Sequence, residues 1–337
     1  MELNEKIESI KKILVKCPIL PEEAYTTFPF LIALSEEFPK AEISLICEEN
    51  CSFAYSFLPF KIFSYERPKE KLSLAKTHQF CVNLNDVFNI DLFFDLENTL
   101  NSSFMGFNFR AKERVGYVVG WNKYFLTKKF INPGNVSIEK KCMKLLELYT
   151  EKTFAEIKIS RFRGEGHKVE KIEKLFEEPE PPSFILVMLD NFKNVSIQIR
   201  MWTRFFDSFQ NQKFIIWAQT DEDLISELFR SIDLGENNLY MHKGSISKEL
   251  VYLFNKVKGV VTNNVWSEGL CNYFGINAVT LLNNQNNILP EYYYFKFKPQ
   301  RFIIPEEGPI KFYHLEESRE LNEMNQVVDH IYLSFKL

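Results

Sequence analysis

Residues 259–282, GVVTNNVWSEGLCNYFGINAVTLL, have the residue types and spacing best suited to holding an anion. Gly259-Val260-Val261-Thr262 is a short β-branched run, Asn263 to Gly269 break the period, and Leu270, Tyr273 and Phe274 return at helical spacing before Gly275. A strand, a polar loop, a helix and a second buried strand leave unpaired N–H groups with partial positive charge at the helix start, where a phosphate is well placed. The same pattern also describes an ordinary βαβ corner. Other signatures are missing from the sequence: there is no GxxxxGK[ST], no GxGxxG after the first strand, no GxSxG and no HExxH. Glycine is scarce, at 12 of 337 residues. That is about half the usual frequency of roughly 7%, so a glycine cradle for phosphate is not expected.

Composition narrows the classes further. A chain of 337 residues with 45% hydrophobic content can bury full cores in two domains, which excludes a disordered or fibrous protein. A net charge of −4 gives no broad basic footprint, so nucleic acid is not an expected partner. The N-terminal MELNEKIESIKKILVKC is charged and amphipathic where a signal peptide would be apolar, and no later window reads as a membrane span. A cytoplasmic location follows as the expectation. The six cysteines are scattered without paired metal spacing, and Cys47 with Cys51 finds no second pair or histidine to complete a zinc site. Reduced thiols and no metal are expected.

These segments need a scaffold, and the pattern supplies one. Strand-like runs at Ile13–Val15, Ile43–Cys47, Gln79–Val82, Asp91–Asp95 and Val115–Tyr117 alternate with helical patterns over 22–38, 51–58 and 100–109. Alternation of this kind argues for a parallel sheet covered by helices on both faces. Pro179, Pro181 and Pro182 mark a boundary, after which Phe184–Leu189, Lys213–Trp217 and Asn238–His242 alternate with helices near 203–209, 222–231 and 247–257. The expected organisation is a first Rossmann-like domain over 1–165, a linker over 166–182, a second Rossmann-like domain over 183–314 and a closing helix over 315–337. Leu321, Met324, Val328 and Tyr332 would share one side of that helix, which could cross back onto the first domain. Ligand sites in such sheets lie at the carboxyl ends of the strands. The run Tyr292-Tyr293-Tyr294-Phe295-Lys296-Phe297-Lys298 reads as an amphipathic strand before it reads as a lipid contact.

Three fragments, in order, resemble the glycosyltransferase family 9 heptosyltransferases. EAYTTFPFLIALSEEFPKAEISLICEE keeps that family's opening frame at Pro29, Leu31, Ala33, Leu34, Phe38, Pro39, Ala41, Ile43 and Leu45. DLFFDLENTLNSSFMGFNFRAKERVGY matches it at Asp95, Leu96, Leu100, Ser103, Arg114, Gly116 and Tyr117. VVTNNVWSEGLCNYFGINAVTLL is similar to the family's donor-loop segment. The resemblance covers most of the chain and implies a GT-B fold, an α/β architecture of two doubly wound Rossmann-like domains facing across a cleft. It implies transfer of a heptose-like sugar from a nucleotide-diphosphate donor such as ADP-heptose to a lipopolysaccharide-core or other surface-glycan acceptor. The partners would be a nucleotide sugar and a glycan or glycolipid, with no metal cofactor and room for a peripheral position at the inner membrane.

The family's first-loop carboxylate, the proposed base toward the acceptor hydroxyl, falls on Glu23 counting back from Pro29 and on Glu22 counting forward from Lys16. Pro21-Glu22-Glu23 equally reads as an ordinary helix start. Asp95 ends a strand where an acceptor sugar could hydrogen-bond or where a carboxylate caps a loop, and Asn98 and Asn101 carry amides suited to hydroxyls. Arg200-Met201-Trp202 resembles the family's phosphate-contacting "K-x-W", with arginine able to grip a diphosphate bidentately and Lys193 as a second cation. The donor loop departs most. Asn263 is retained, but the aspartate, threonine, glycine, proline and histidine positions fall on Asn264, Val265, Trp266, Ser267 and Gly269. Trp266 replaces a glycine that would let the backbone approach a pyrophosphate, and Glu268 adds a charge that Arg200 or another cation must offset. Two readings follow: a divergent transferase, or a catalytically silent relative that binds or scaffolds in glycan assembly.

Overall fold

A computed structural model describes residues 7–19, 21–56, 58–66, 73–84, 89–154, 173–174, 183–189, 195–209, 212–218, 230, 239–243, 248–263, 265–282, 300–304, 310–314 and 317–336. The chain divides into two compact units that part between Ile159 and Ser160. Most of the expected linker 166–182 and of the helix 222–231, and all of the aromatic run 292–298, lie outside the described residues.

The first unit is a six-stranded sheet in the order β3-β2-β1-β4-β5-β6. Its strands are β1 (Lys12–Lys16), β2 (Glu42–Glu48), β3 (Lys61–Tyr65), β4 (Leu92–Asp95), β5 (Glu113–Tyr117) and β6 (Lys128–Phe130). Every pairing is parallel. The central strands are buried along almost their whole length, so ILV, ISLIC and LFFD read as unbroken apolar runs rather than alternating ones. The expected helix over 22–38 is three pieces: α1 (Pro21–Ala24), a 3-10 turn (Tyr25–Thr27) and α2 (Phe28–Glu37). Pro29 has no N–H to continue an α-helix, and the hydroxyls of Thr26 and Thr27 donate back to the Glu23 and Ala24 carbonyls at 2.5 Å, tightening the turn. The helices α3 (Glu49–Tyr55), α4 (Leu74–Asn83), α5 (Leu100–Asn108) and α6 (Ile138–Thr150) complete the unit. Gln79–Val82 is not a strand. It belongs to α4, where Thr77 and Cys81 share the buried face at i and i+4, and the third strand is the half-exposed KIFSY at the sheet edge.

The second unit repeats this plan and extends it. The order is β14-β13-β12-β11-β10-β7-β8-β9. Parallel strands β7 (Phe184–Leu189), β8 (Lys213–Ala218), β9 (Leu239–Lys243), β10 (Gly259–Thr262), β11 (Ala278–Leu282) and β12 (Gln300–Ile303) reproduce the doubly wound order around β7. The antiparallel pair β13 (Ile310–His314) and β14 (Glu317–Leu321) follows. Among the described residues the helices are α7 (Val195–Asp207), α8 (Lys248–Phe254), α9 (Val265–Phe274) and α10 (Met324–Phe335). The expected closing helix over 315–337 is therefore a strand and a shorter helix. Leu321 ends β14, while Val327, Val328, Ile331 and Phe335 of α10 join the second unit's core with Trp202, Phe205 and Phe206 of α7. No helix among the described residues is long and apolar enough to cross a membrane.

β10 begins with glycine for a steric reason: a Cβ at Gly259 would overlap the Phe335 ring. Gly259→Ala is expected to destabilise the second unit by about 1–3 kcal/mol through overpacking, read as a lower denaturant midpoint with unchanged slope.

Candidate functional site

In the first unit, a cavity of about 670 Å³ opens where the carboxyl ends of its central strands meet α6. Pro18 and Ile19 enter it after β1, Leu96 to Thr99 after β4, Tyr117 and Val119 after β5, and Asn132 after β6. Ile138, Lys141, Cys142 and Leu145 present one face of α6 to it, and half-buried Glu23 reaches it from α1. The connections after β1, β4, β5 and β6 thus deliver segments to the same place, at the carboxyl ends of parallel strands.

One lining residue, Glu97, is held by a buried ion pair. Lys16, the last residue of β1, has no exposed surface, and its Nζ lies 2.6 Å from Glu97 Oε2 and donates to the Cys17 carbonyl at 2.8 Å. The same ammonium sits 5.3 Å from the Tyr65 ring centroid at the end of β3. Burial alone would lower the Lys16 pKa, but the charge of Glu97, helped by Tyr65, outweighs it and leaves the lysine above its ordinary value. Lys16 is therefore charged throughout the physiological range. Neither Lys16 nor Glu97 was among the residues the sequence pointed to.

Of the two roles the sequence left open for Asp95, an acceptor contact or a loop cap, the structure shows the bonds of a loop cap. It is fully buried, and its oxygens accept from the Ser103 hydroxyl at 2.5 Å, the Ser102 hydroxyl at 2.9 Å and the Asn98 N–H at 2.8 Å. Burial pushes its pKa up to about 6, against the Ser103 bond and with added repulsion from Glu97. It shapes the 95–99 loop without reaching the cavity. Asn98 does line the cavity, yet its Oδ1 accepts from Tyr117 N–H at 2.8 Å and its Nδ2 donates to Leu96 at 3.1 Å, so the amide ties two loops together. Its φ of 58° is one that asparagine tolerates. Asn101 lies in the first turn of α5 and is not part of the cavity lining. What the cavity offers a ligand is the carboxylate of Glu23, with Thr99, Asn132 and Lys141, against an apolar wall.

The second-unit candidates are arranged separately. Arg200 is exposed on α7, beside fully buried Trp202. Asn263 is half-buried between β10 and α9, and the Ser267 hydroxyl in the first turn of α9 is buried with no partner among the described residues. Lys193, Asn264 and the side chains of Glu22 and Trp266 lie outside what the structure describes. Glu268 is offset by Arg301 of β12, not by Arg200: Arg301 Nη2 and Nε donate to its two oxygens at 2.5 and 2.8 Å, and the Thr280 hydroxyl of β11 donates at 2.8 Å. A carboxylate with three such bonds in a buried pair is a structural tie between α9 and two strands. Among the described residues, no group of three or more His, Cys, Asp and Glu side chains could hold a metal ion.

No family model and no curated protein matches the sequence. Solved structures do resemble the fold. The glycosyl transferase family 9 protein of Veillonella parvula is 13% identical at a TM-score of 0.62, over 89% of this chain and 87% of its own. E. coli heptosyltransferase WaaC with ADP-2-deoxy-2-fluoro heptose is 11% identical at a TM-score of 0.65, over 96% of this chain and 99% of its own. E. coli ADP-heptose lps heptosyltransferase II is 12% identical at a TM-score of 0.62, over 96% and 98%. Likeness across both units establishes the GT-B fold, as the resemblance implied; at such identity, it speaks for the fold alone.

Two outcomes test this geometry. Glu97→Gln, which strands a buried ammonium, is expected to destabilise the first unit by about 3–5 kcal/mol in denaturant unfolding, whereas Lys16→Met with Glu97→Gln regains much of that loss. For Asp95, the folded pKa of about 6 lies above the usual carboxylate value. Stability is therefore greater below pH 4 and falls as pH rises through 6, by roughly 3 kcal/mol from this group. Asp95→Asn flattens that part of the stability–pH curve.

Proposed function

We propose that the protein is a glycosyltransferase that moves a heptose-like sugar from a nucleotide-diphosphate donor to a lipopolysaccharide-core or other surface-glycan acceptor. The single observation that carries the reading is the first-unit cavity at the strand carboxyl ends, with Glu23 on its wall in a GT-B chain. In this reading the acceptor hydroxyl sits in that cavity and Glu23 takes its proton. The hydroxyl oxygen bonds to the anomeric carbon as the bond from that carbon to the diphosphate breaks. The leaving diphosphate is met by the N–H groups at the start of α9 and by Arg200, with Asn263 and Ser267 beside them, so no metal is assigned a role. That ADP-2-deoxy-2-fluoro heptose accompanies the E. coli WaaC structure supports an adenosine diphosphate sugar as the first donor to try. A cytoplasmic protein meeting its acceptor at a membrane surface fits the same reading.

A second reading is favoured by one observation. Arg301, beside the first turn of α9, is committed to an internal ion pair with Glu268 rather than open to a donor phosphate, which suits a silent relative that binds glycan without turnover.

A thermal-shift panel of nucleotide-diphosphate sugars separates the two. The transferase reading expects stabilisation by at least one donor, and a 10²–10⁴-fold fall in kcat for Glu23→Gln with donor affinity unchanged. Glu22→Gln leaves the rate within a few-fold. No stabilisation by any donor overturns the transferase reading, whereas turnover with any donor overturns the silent one.

A further inference from the structure

The polar groups that line the first-unit cavity differ in what they still offer a ligand. The Thr99 hydroxyl donates to Glu97 Oε1 at 2.9 Å, and the Tyr117 hydroxyl donates to the Lys141 carbonyl at 2.8 Å. Glu97 is held by Lys16, and the Asn98 amide by Tyr117 and Leu96. Asn132 is exposed, and its Oδ1 accepts from Gly134 N–H at 3.1 Å, which leaves the amide its Nδ2 donors. Lys141 is half-buried and, among the described residues, its ammonium has no ion-pair partner. Apart from the Glu23 carboxylate, what remains open is chiefly donors.

The surface around those donors is apolar. Ile138, Lys141, Cys142 and Leu145 follow at i, i+3, i+4 and i+7 and so share one side of α6. Burial pushes the Cys142 thiol far above its ordinary pKa, so it is neutral throughout the physiological range. Lys141 thus stands between apolar neighbours one turn away on either side, and Ile19, Leu96 and Val119 add apolar surface from the strand ends.

Together these groups describe an occupant. With Glu23 given to the reacting hydroxyl, the rest of the ligand must bring acceptors for Lys141 and Asn132 and apolar surface for the α6 stripe. A ring that carries only hydroxyls meets this poorly, because its protons find no acceptor on an apolar wall, at about 1–3 kcal/mol for each buried group left unmade. A carboxylate brings acceptors alone, but Glu23, Glu97 and Lys141, with Lys16 paired to Glu97, sum to no net charge and give a further anion no field to enter. An acyl group supplies both needs: a carbonyl oxygen that only accepts, and a methyl group beside it.

We propose that the cavity selects an acceptor sugar bearing a small acyl substituent, acetamido or acetyl, with its carbonyl received by Lys141 and Asn132 and its methyl by Leu96, Ile138 and Leu145. This substrate class rests on the transfer reading for the place of the reacting hydroxyl at Glu23.

The test is saturation-transfer NMR of the full chain with the methyl β-glycosides of N-acetylglucosamine, glucose and glucuronic acid. The expected result is the strongest transfer to the acetyl methyl protons, with the N-acetyl sugar bound about 10-fold more tightly than either of the others. Lys141→Met keeps an unbranched apolar stem without the ammonium. It should lower affinity for the N-acetyl sugar by about 10-fold and leave the weaker glucoside affinity where it was. Asn132→Asp keeps the acceptor for Gly134 N–H, removes the donors at an exposed position, and should weaken the N-acetyl sugar at an unchanged thermal midpoint. Equal affinity for the three glycosides, tighter binding of the glucuronide, no binding of any of them, or parental binding by both variants overturns the inference. Stabilisation by a nucleotide-sugar donor without a preference for the acyl sugar overturns the inference alone, whereas acyl-sugar binding by a chain that no donor stabilises overturns the transfer reading alone.

Discussion

A lysine with no exposed surface is the constraint on which the first unit's cavity depends. Lys16 ends the central strand, and its ammonium reaches Glu97 beyond β4, the Cys17 carbonyl beyond β1 and the Tyr65 ring at the end of β3. One cation therefore ties the carboxyl ends of three strands in the region where the loops must diverge to leave a cavity. A buried pair of this kind is a poor source of net stability, because desolvation offsets its attraction, but it tolerates few other arrangements. Glu97 is fixed by it, and the loop that follows is fixed in turn by Asp95 and Asn98.

The neighbouring carboxyl shows the electrostatic consequence. Asp95 lies near Glu97 at the end of the same strand, and the sheet cannot comfortably hold both as unpaired anions. Glu97 has the lysine, and Asp95 has hydroxyls and one N–H; burial, with added repulsion from Glu97, outweighs those bonds and raises its pKa to about 6. The loop then has one committed ion pair and one carboxyl that can take a proton. The second unit solves a similar problem with Glu268 and Arg301, which bind the start of α9 to β11 and β12. In both units the loop after a central strand is organised by a buried carboxylate.

The sequence made the central strands legible because parallel strands buried on both faces must be continuous apolar runs; FILVML and GVVT could be little else. Edges and amphipathic pieces were less readable. KIFSY is half-exposed and short, while the helix LAKTHQFCVN contains an apolar stretch that imitates a strand. In α6, Cys142, Leu145, Leu146 and Tyr149 carry helical spacing that a longer window would have caught. Of the site, Glu23 was reached through the family frame counted back from Pro29, with Glu22 as its alternative, and Asn98 by its place after a buried strand; both Glu23 and Asn98 line the cavity. The ion pairs were not legible: Lys16 meets Glu97, and Glu268 meets Arg301, only once the sheets close. A lysine at the end of an otherwise buried strand was the one available signal.

The central claim is that the cavity above Lys16 and Glu97 is where the protein takes its acceptor. Hydrogen–deuterium exchange of the full chain, with and without a saturating heptose-containing oligosaccharide, tests it most directly. The account predicts slowed exchange in the 96–99 and 138–145 segments. Protection confined to the second unit, or none anywhere at saturation, would contradict it.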